Sequence, residues 1–184
     1  VKGFLVDTSW EGYKATLMQN RIALRAVQNA DITLNDVFVP DDYKLAHANT
    51  FKDTNKVLKS ARSTVGWQAV GLQMGVLDTA LDYTGKRNQF GKPLASFQIN
   101  QSKLSTILGN LIASESMMAA LTRLEARGDT RGEHSALAKA HVSKLMRESA
   151  ALGRELLGGN GIISDYTAAK HFCDAEAIYS YEGT

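Results

Sequence analysis

The sequence predicts a mostly α protein, an antiparallel helical bundle preceded by the last strands of a β domain. Three observations lead there. Over residues 51–157 apolar side chains recur at spacings of three, four or seven, one face of a helix. Glycine-bearing breaks cut that stretch into long segments with short connections, the pattern of antiparallel neighbours. Residues 1–45 instead alternate apolar with polar, the two-residue period of a strand.

Each element has its own signal. Residues 2–7, with Phe4, Leu5 and Val6, read as a strand. So do residues 12–18, around Tyr13, Ala15 and Leu17, and residues 31–39, through Ile32, Leu34, Val37 and Val39, with the turn-favouring pair Asn35 and Asp36 inside and Pro40 closing the run. Three short strands cannot cover a sheet on both faces, so this segment reads as the tail of a larger β domain. The first helix is expected over 54–88, with Leu58, Ala61, Val65, Leu72, Val76 and Ala80 on its apolar face and Gly91 and Pro93 as breakers. The second starts near Ser96, carries Leu104, Ile107, Leu108, Leu111, Ile112, Met118 and Leu121, and stops at Gly128. The third starts near Ser135, carries Ala138, Val142, Leu145, Leu152 and Leu156, and stops at the glycine run 158–161. Ser164 is placed to cap a short fourth helix. The expected division is 1–50, the end of a β domain, and 51–184, the helical bundle. The start at Val1 within a strand-like run and the stop at Thr184 are read as marks of a fragment.

Composition sets outer bounds. With 21 basic and 19 acidic side chains the net charge is +2, which gives no reason to expect nucleic acid or an anionic membrane as partner. Cys173 is the single cysteine, so an internal disulfide is excluded and a reducing, intracellular home is expected. No apolar run is expected to cross a bilayer, and the start shows no signal-peptide pattern. His134 and His141 are seven apart on one helix, about 10 Å along its axis, too far to share an ion; with His47 and His171 isolated, no metal site is expected.

Four places can carry chemistry. The glycines at 158–161 permit left-handed backbone and close approach of another molecule, although a helix end is the commoner origin of such a run. Lys86, Arg87, Gln89 and Phe90 offer a guanidinium fork for a phosphate and a ring to pack on a flat ligand; a solvated helix end is the plainer reading. Gln98 and Gln101 share a helix face. Glu182, beside Gly183, is a carboxylate next to a flexible position, and taken alone it is an ordinary solvated acid.

Together, in order and spacing, these segments resemble the acyl-CoA dehydrogenases and their oxidase relatives. The resemblance rests on NRIALRAVQNADITLNDVFVP at 20–40, KRNQFGKPLASFQINQSKL at 86–104, RELLGGNGI at 154–162 and YEGT at 181–184. NKVLKSAR at 55–62 and FCDAEAIYSYEGT at 172–184 give it the flavour of glutaryl-CoA dehydrogenases and plant peroxisomal short-chain acyl-CoA oxidases. It implies the family's helical C-terminal domain after a β-barrel-like domain, FAD as cofactor, an acyl-CoA substrate, and a homo-oligomer, a tetramer built as a dimer of dimers, with FAD sites shared between subunits. By that resemblance Arg87 binds the FAD pyrophosphate of a neighbouring subunit, Phe90 and Gln98 touch the same FAD, and Glu155, Leu156, Leu157, Gly158 and Gly159 form the loop for its adenosine part. Many members carry glutamine at the Glu155 position, whereas the glutaryl-CoA branch has an acid there. Arg62 lines the acyl-CoA channel, Gly183 contacts the thioester and Thr184 the flavin. Glu182 is the base that removes the α-proton. Relatives that place the base on the first helix do so beside the arginine equivalent to Arg62, and here that neighbour is Ala61.

The chemistry implied is α,β-dehydrogenation to a trans-2-enoyl-CoA, with electron-transfer flavoprotein as acceptor. O₂, as in an acyl-CoA oxidase, and decarboxylation of glutaryl-CoA stay open. The compartment implied is the cytoplasm in a bacterium, and mitochondria or peroxisomes in a eukaryote. The alternative from another class is a non-catalytic helical bundle used for assembly.

Overall fold

The computed structural model describes residues 2–183 and divides into two compact units, Val1–Leu58 and Lys59–Thr184. In the first, β1 (Tyr13–Leu17) and β2 (Ala30–Leu34) form a two-stranded antiparallel sheet, with Tyr13 opposite Leu34 and Leu17 opposite Ala30. Two of the three expected strands are therefore present. Residues 2–7 make only one bridge, Phe4 to Lys44, because a strand needs a ladder and they find a single rung. The strand expected to reach Val39 stops at Leu34, where Asp36 takes a left-handed φ of 51° and turns the chain.

The second unit is helical. It takes in α1 (Phe51–Lys86) from Lys59 onward, then α2 (Gln98–Ala126), α3 (Gly132–Leu156) and α4 (Thr167–Ser180). The expected helix limits fall within about three residues of these. Between α1 and α2, where Gly91 and Pro93 were expected only to break a helix, residues 88–93 form a small hairpin of β3 (Asn88–Gln89) and β4 (Lys92–Pro93). Ser164 does not cap α4: the residue before its first turn is Tyr166, with no side-chain cap bond, since the chain runs two residues further before it coils.

The core is a single cluster drawn from all four helices: Val65, Val70 and Val76 of α1, Ile107, Met118 and Leu121 of α2, Val142 and Met146 of α3, Ile178 of α4. Each fully buried side chain of this size contributes roughly 1.5–3 kcal/mol. Leu108 and Ile112, expected on the inner face of α2, are exposed, because the buried row runs through Ile107, Leu111, Ser114, Met118 and Leu121 instead. A helix spacing of three and four admits either row, and packing chose the second. By length and composition alone α2 is also apolar enough to cross a membrane, contrary to expectation, because its leucines, isoleucines, methionines and alanines outweigh the interspersed polar residues, many of which are near-neutral serines, threonines and glycine.

Two devices set how the helices meet. A Cβ on Gly153 of α3 would stand 2.5 Å from Val76 Cγ1 of α1, so glycine is what lets these helices approach. Gln73 of α1, fully buried, donates to Ser114 Oγ of α2 at 2.9 Å and accepts from Ser149 Oγ of α3 at 3.5 Å. Buried amides need such partners, so the three helices share one polar pin.

Candidate functional site

The end of α4 carries the first group of site residues. Tyr181 N–H still donates to Ala177 O at 3.1 Å, closing the last turn. The backbone then reverses into left-handed geometry, with φ of 60° at Glu182 and 86° at Gly183. Glycine adopts this freely; a glutamate does so at a cost of roughly 1–3 kcal/mol and only where its surroundings hold it. Those surroundings are two cations and an amide. Arg62 of α1 donates through Nε to Glu182 O at 3.3 Å. Lys139 of α3 donates through Nζ to Tyr179 O at 2.7 Å and Gly183 O at 2.8 Å. Tyr181 Oη donates to Gln68 Oε1 at 2.7 Å. Lys139 is only 1% exposed, and burial holds its ammonium below the usual lysine range, with Glu182 opposing the fall and Arg62 adding to it.

Against this framework the Glu182 carboxylate is unspent. Its Oε2 is buried and accepts no hydrogen bond among the described residues. Its backbone N–H likewise finds no acceptor among them. A desolvated carboxylate oxygen and a free N–H on the same residue have the capacity to act as a base and a donor. Thr184, expected beside them, lies outside the described residues.

The second group gathers around the hairpin and the end of α3. Phe90 and Gly91 form the hairpin's two-residue loop, both left-handed, at φ 54° and 79°. Such loops favour asparagine or glycine, so a phenylalanine there, 91% exposed, is strained and unburied at once. Its ring meets Phe97 edge-on at 6.2 Å. Arg87 is exposed, and its guanidinium makes no hydrogen bond or ion pair among the described residues. Gln98 opens α2 and is exposed, whereas Gln101 on the same face spends its amide on Ala95 O at 2.9 Å. Glu155 pairs with Lys103 of α2 at 2.7 Å, and that bond holds its carboxyl below the usual range. Leu156 and Leu157 belong to the core and can offer only backbone outward. Gly158 has φ 57°, and a Cβ at Gly158 or Gly159 would meet open space.

The fold thus sorts the expected residues into two groups. Arg62, Lys139, Glu182 and Gly183 meet at one end of the bundle. Arg87, Phe90, Gln98 and the 155–159 turn lie toward the other. At 1.5 Å per residue, Arg62 and Arg87 stand about 37 Å apart along α1, and Lys139 and Glu155 about 24 Å apart along α3. Lys139 is the residue that sequence reasoning passes over. The signal was present, because Ser135, Lys139, Val142 and Met146 form one buried row and a lysine in such a row requires a partner.

Residues 51–184 match the sequence pattern described as the acyl-CoA dehydrogenase C-terminal domain. This chain belongs to the acyl-CoA dehydrogenase family. Along its whole length it is 28% identical to the caffeyl-CoA reductase-Etf complex subunit CarC of Acetobacterium woodii and 29% identical to the probable acyl-CoA dehydrogenase fadE25 of Mycobacterium leprae, covering 49% and 48% of them. Two solved structures of glutaryl-CoA dehydrogenase from Mycobacterium smegmatis, one in complex with FADH2, match all of this chain at 30% identity and a TM-score of 0.95, over 47% of their own length. The chain therefore spans about half the length of these acyl-CoA dehydrogenase relatives. Membership accounts for the mostly α fold with a few short strands before it.

Proposed function

We propose that this chain supplies the catalytic base and part of the flavin site of an FAD-dependent enzyme that converts a short-chain acyl-CoA or glutaryl-CoA to its trans-2-enoyl-CoA. One observation carries the reading: one carboxylate oxygen of Glu182, Oε2, is buried and unpartnered among the described residues, on a left-handed turn held by Arg62 and Lys139. A structural acid at that depth would be paired. The likeness to glutaryl-CoA dehydrogenase supports the substrate class, and the relative named for an Etf complex supports electron-transfer flavoprotein as the acceptor.

The residues fit the cofactor. Arg87 has five unspent N–H donors for a pyrophosphate, Phe90 an open ring face, and Gly158 and Gly159 an uncovered backbone. When bound, FAD supplies the two-electron acceptor that takes the β-hydrogen as hydride. The chain's own part is proton chemistry. The Glu182 N–H donates to the thioester carbonyl oxygen and stabilises charge as it develops there. Glu182 Oε2 takes the α-proton as the α C–H bond breaks, and that bonding pair becomes the new double bond.

Because the hairpin group lies tens of ångströms from Glu182, we place it on the FAD of a neighbouring subunit in a homo-oligomer. The exposed Ile99, Leu108 and Ile112 of α2 favour such association. The test uses the intact protein. It purifies with flavin, and the flavin bleaches anaerobically when a short acyl-CoA is added, whereas Glu182→Gln keeps the flavin and does not bleach. A colourless wild type, or an E182Q variant that bleaches at the normal rate, overturns the reading.

A further inference from the structure

We infer that Lys139 is the positioning residue for the base: its buried ammonium clasps the Tyr179 and Gly183 carbonyls, the two ends of the turn that carries Glu182, and so sets where the carboxylate points. The inference rests on the proposed role of Glu182 and adds the part that holds it.

The argument begins with cost. A lysine ammonium removed from water is strongly disfavoured unless it is bonded, and α3 offers many apolar choices for an inward position. Lys139 is nonetheless on the inner row, 1% exposed, between Ser135 and Val142. Its two bonds, 2.7 Å to Tyr179 O and 2.8 Å to Gly183 O, do not go to a neighbouring carboxylate but to carbonyls on either side of residues 180–182. Tyr179 O is one of the carbonyls that the end of α4 leaves without a helical partner, and a cation there also suits the helix dipole. Arg62 takes the carbonyl between them, that of Glu182, at 3.3 Å. Three carbonyls of a five-residue stretch are thus held by two cations from two different helices.

That clasp answers the strain. Glu182 and Gly183 are both left-handed, and no backbone ladder supports them. Remove the Lys139 ammonium and the Gly183 carbonyl loses its bond, so that Arg62 on the Glu182 carbonyl and the bonds of Tyr181 to Ala177 O and Gln68 are left to hold the turn. The carboxylate and the Glu182 N–H ride on the same turn, so both move together. The Tyr179 anchor is fixed separately: Arg147 lies 4.3 Å over its ring and pairs with Glu176 at 2.9 Å. Lys139 therefore connects a rigid point to the strained one.

The experiment compares Lys139→Met, Lys139→Arg and Glu182→Gln in the intact holoenzyme. Misplacing a catalytic group by about 1 Å costs on the order of 100-fold, so K139M should lose about that in kcat, with flavin content unchanged and KM little altered. The direct readout is exchange of the α-hydrogen with deuterated solvent, in an acyl-CoA bearing sulfur in place of its β-carbon, where hydride cannot leave. K139M should slow this exchange in step with kcat, and K139R, whose fork also reaches two carbonyls, should recover much of it. If K139M does not fold, K139Q, which keeps N–H donors, carries the same measurement. Wild-type exchange in the Lys139 variants beside a dead E182Q overturns the positioning role alone. Wild-type exchange in E182Q overturns the base assignment itself. Loss of kcat that merely follows loss of flavin assigns Lys139 to general stability and also overturns the role.

Discussion

The two ends of the bundle are built on opposite plans. At the Glu182 end the polar groups are bonded and largely withdrawn from water: Lys139 is buried, Arg62 is half-buried, and Glu182 Oε2 is dry and unpartnered among the described residues. At the hairpin end the candidate groups are exposed: Arg87 makes no side-chain bond among the described residues, Phe90 is 91% exposed, and the glycines at 158 and 159 face open space. Desolvation is what a base needs, because its reactivity rises as water leaves. Exposure is what a docking group needs, because its partner comes from outside. On the proposed reading, the contrast separates residues that do chemistry for this subunit from residues offered to another.

The comparison can be tested by a graded series of variants. The largest effect is expected from Glu182→Gln, which should lower kcat by about 10²–10⁴-fold with FAD affinity unchanged, as stopped-flow flavin reduction would read. Mixing E182Q subunits with Arg87→Ala subunits should then restore activity in hybrids, since one site of each pair would receive both intact residues; failure of any hybrid to recover means that the two ends serve one subunit. Arg87→Ala alone should weaken FAD retention by roughly 10-fold or more with kcat preserved at saturating FAD, measured by flavin titration.

Changes midway along the bundle should respect neither end. Gly153→Leu, driven against Val76, is expected to cost about 1–3 kcal/mol and lower Tm by several degrees. Gly71→Ala, on an exposed helical face with open space around it, should instead stabilise by about 0.5–1 kcal/mol. Both should scale flavin binding and turnover together. The smallest effect is on pH dependence. Burial, helped by Lys170 and opposed by Asp174, holds His171 below its usual 6.5. The unfolded chain then takes up the proton first, so stability should fall as pH drops below about 6.5. His171→Gln should flatten that slope in urea melts taken between neutral and mildly acid pH.

What the sequence revealed divides along physical lines. Helices announce themselves locally, and Val65, Val76, Ala80, Met118 and Val142 were legible from spacing alone. Strands depend on partners distant in sequence, so residues 2–7 looked like a strand and found one rung. Leu108 and Ile112 were placed inside because a spacing rule cannot choose between adjacent rows of one helix. The candidate site residues were named through family likeness, while their separation into two groups emerged only from the lengths of α1 and α3. Lys139 escaped because the value of a buried cation lies in carbonyls forty residues away.

The Gln73 pin has a mechanical consequence. Sliding α1 past its neighbours by one turn, about 5.4 Å, would break both interhelical bonds, leaving Ser114 Oγ without its partner and Gln73 with only its bond to Ala69 O in its own helix. The bundle therefore resists sliding and behaves as a ruler, keeping the span between hairpin tip and α4 terminus constant. Subunits that share a cofactor across such a span need that constancy, because a ligand gripped from two molecules tolerates no drift in either grip.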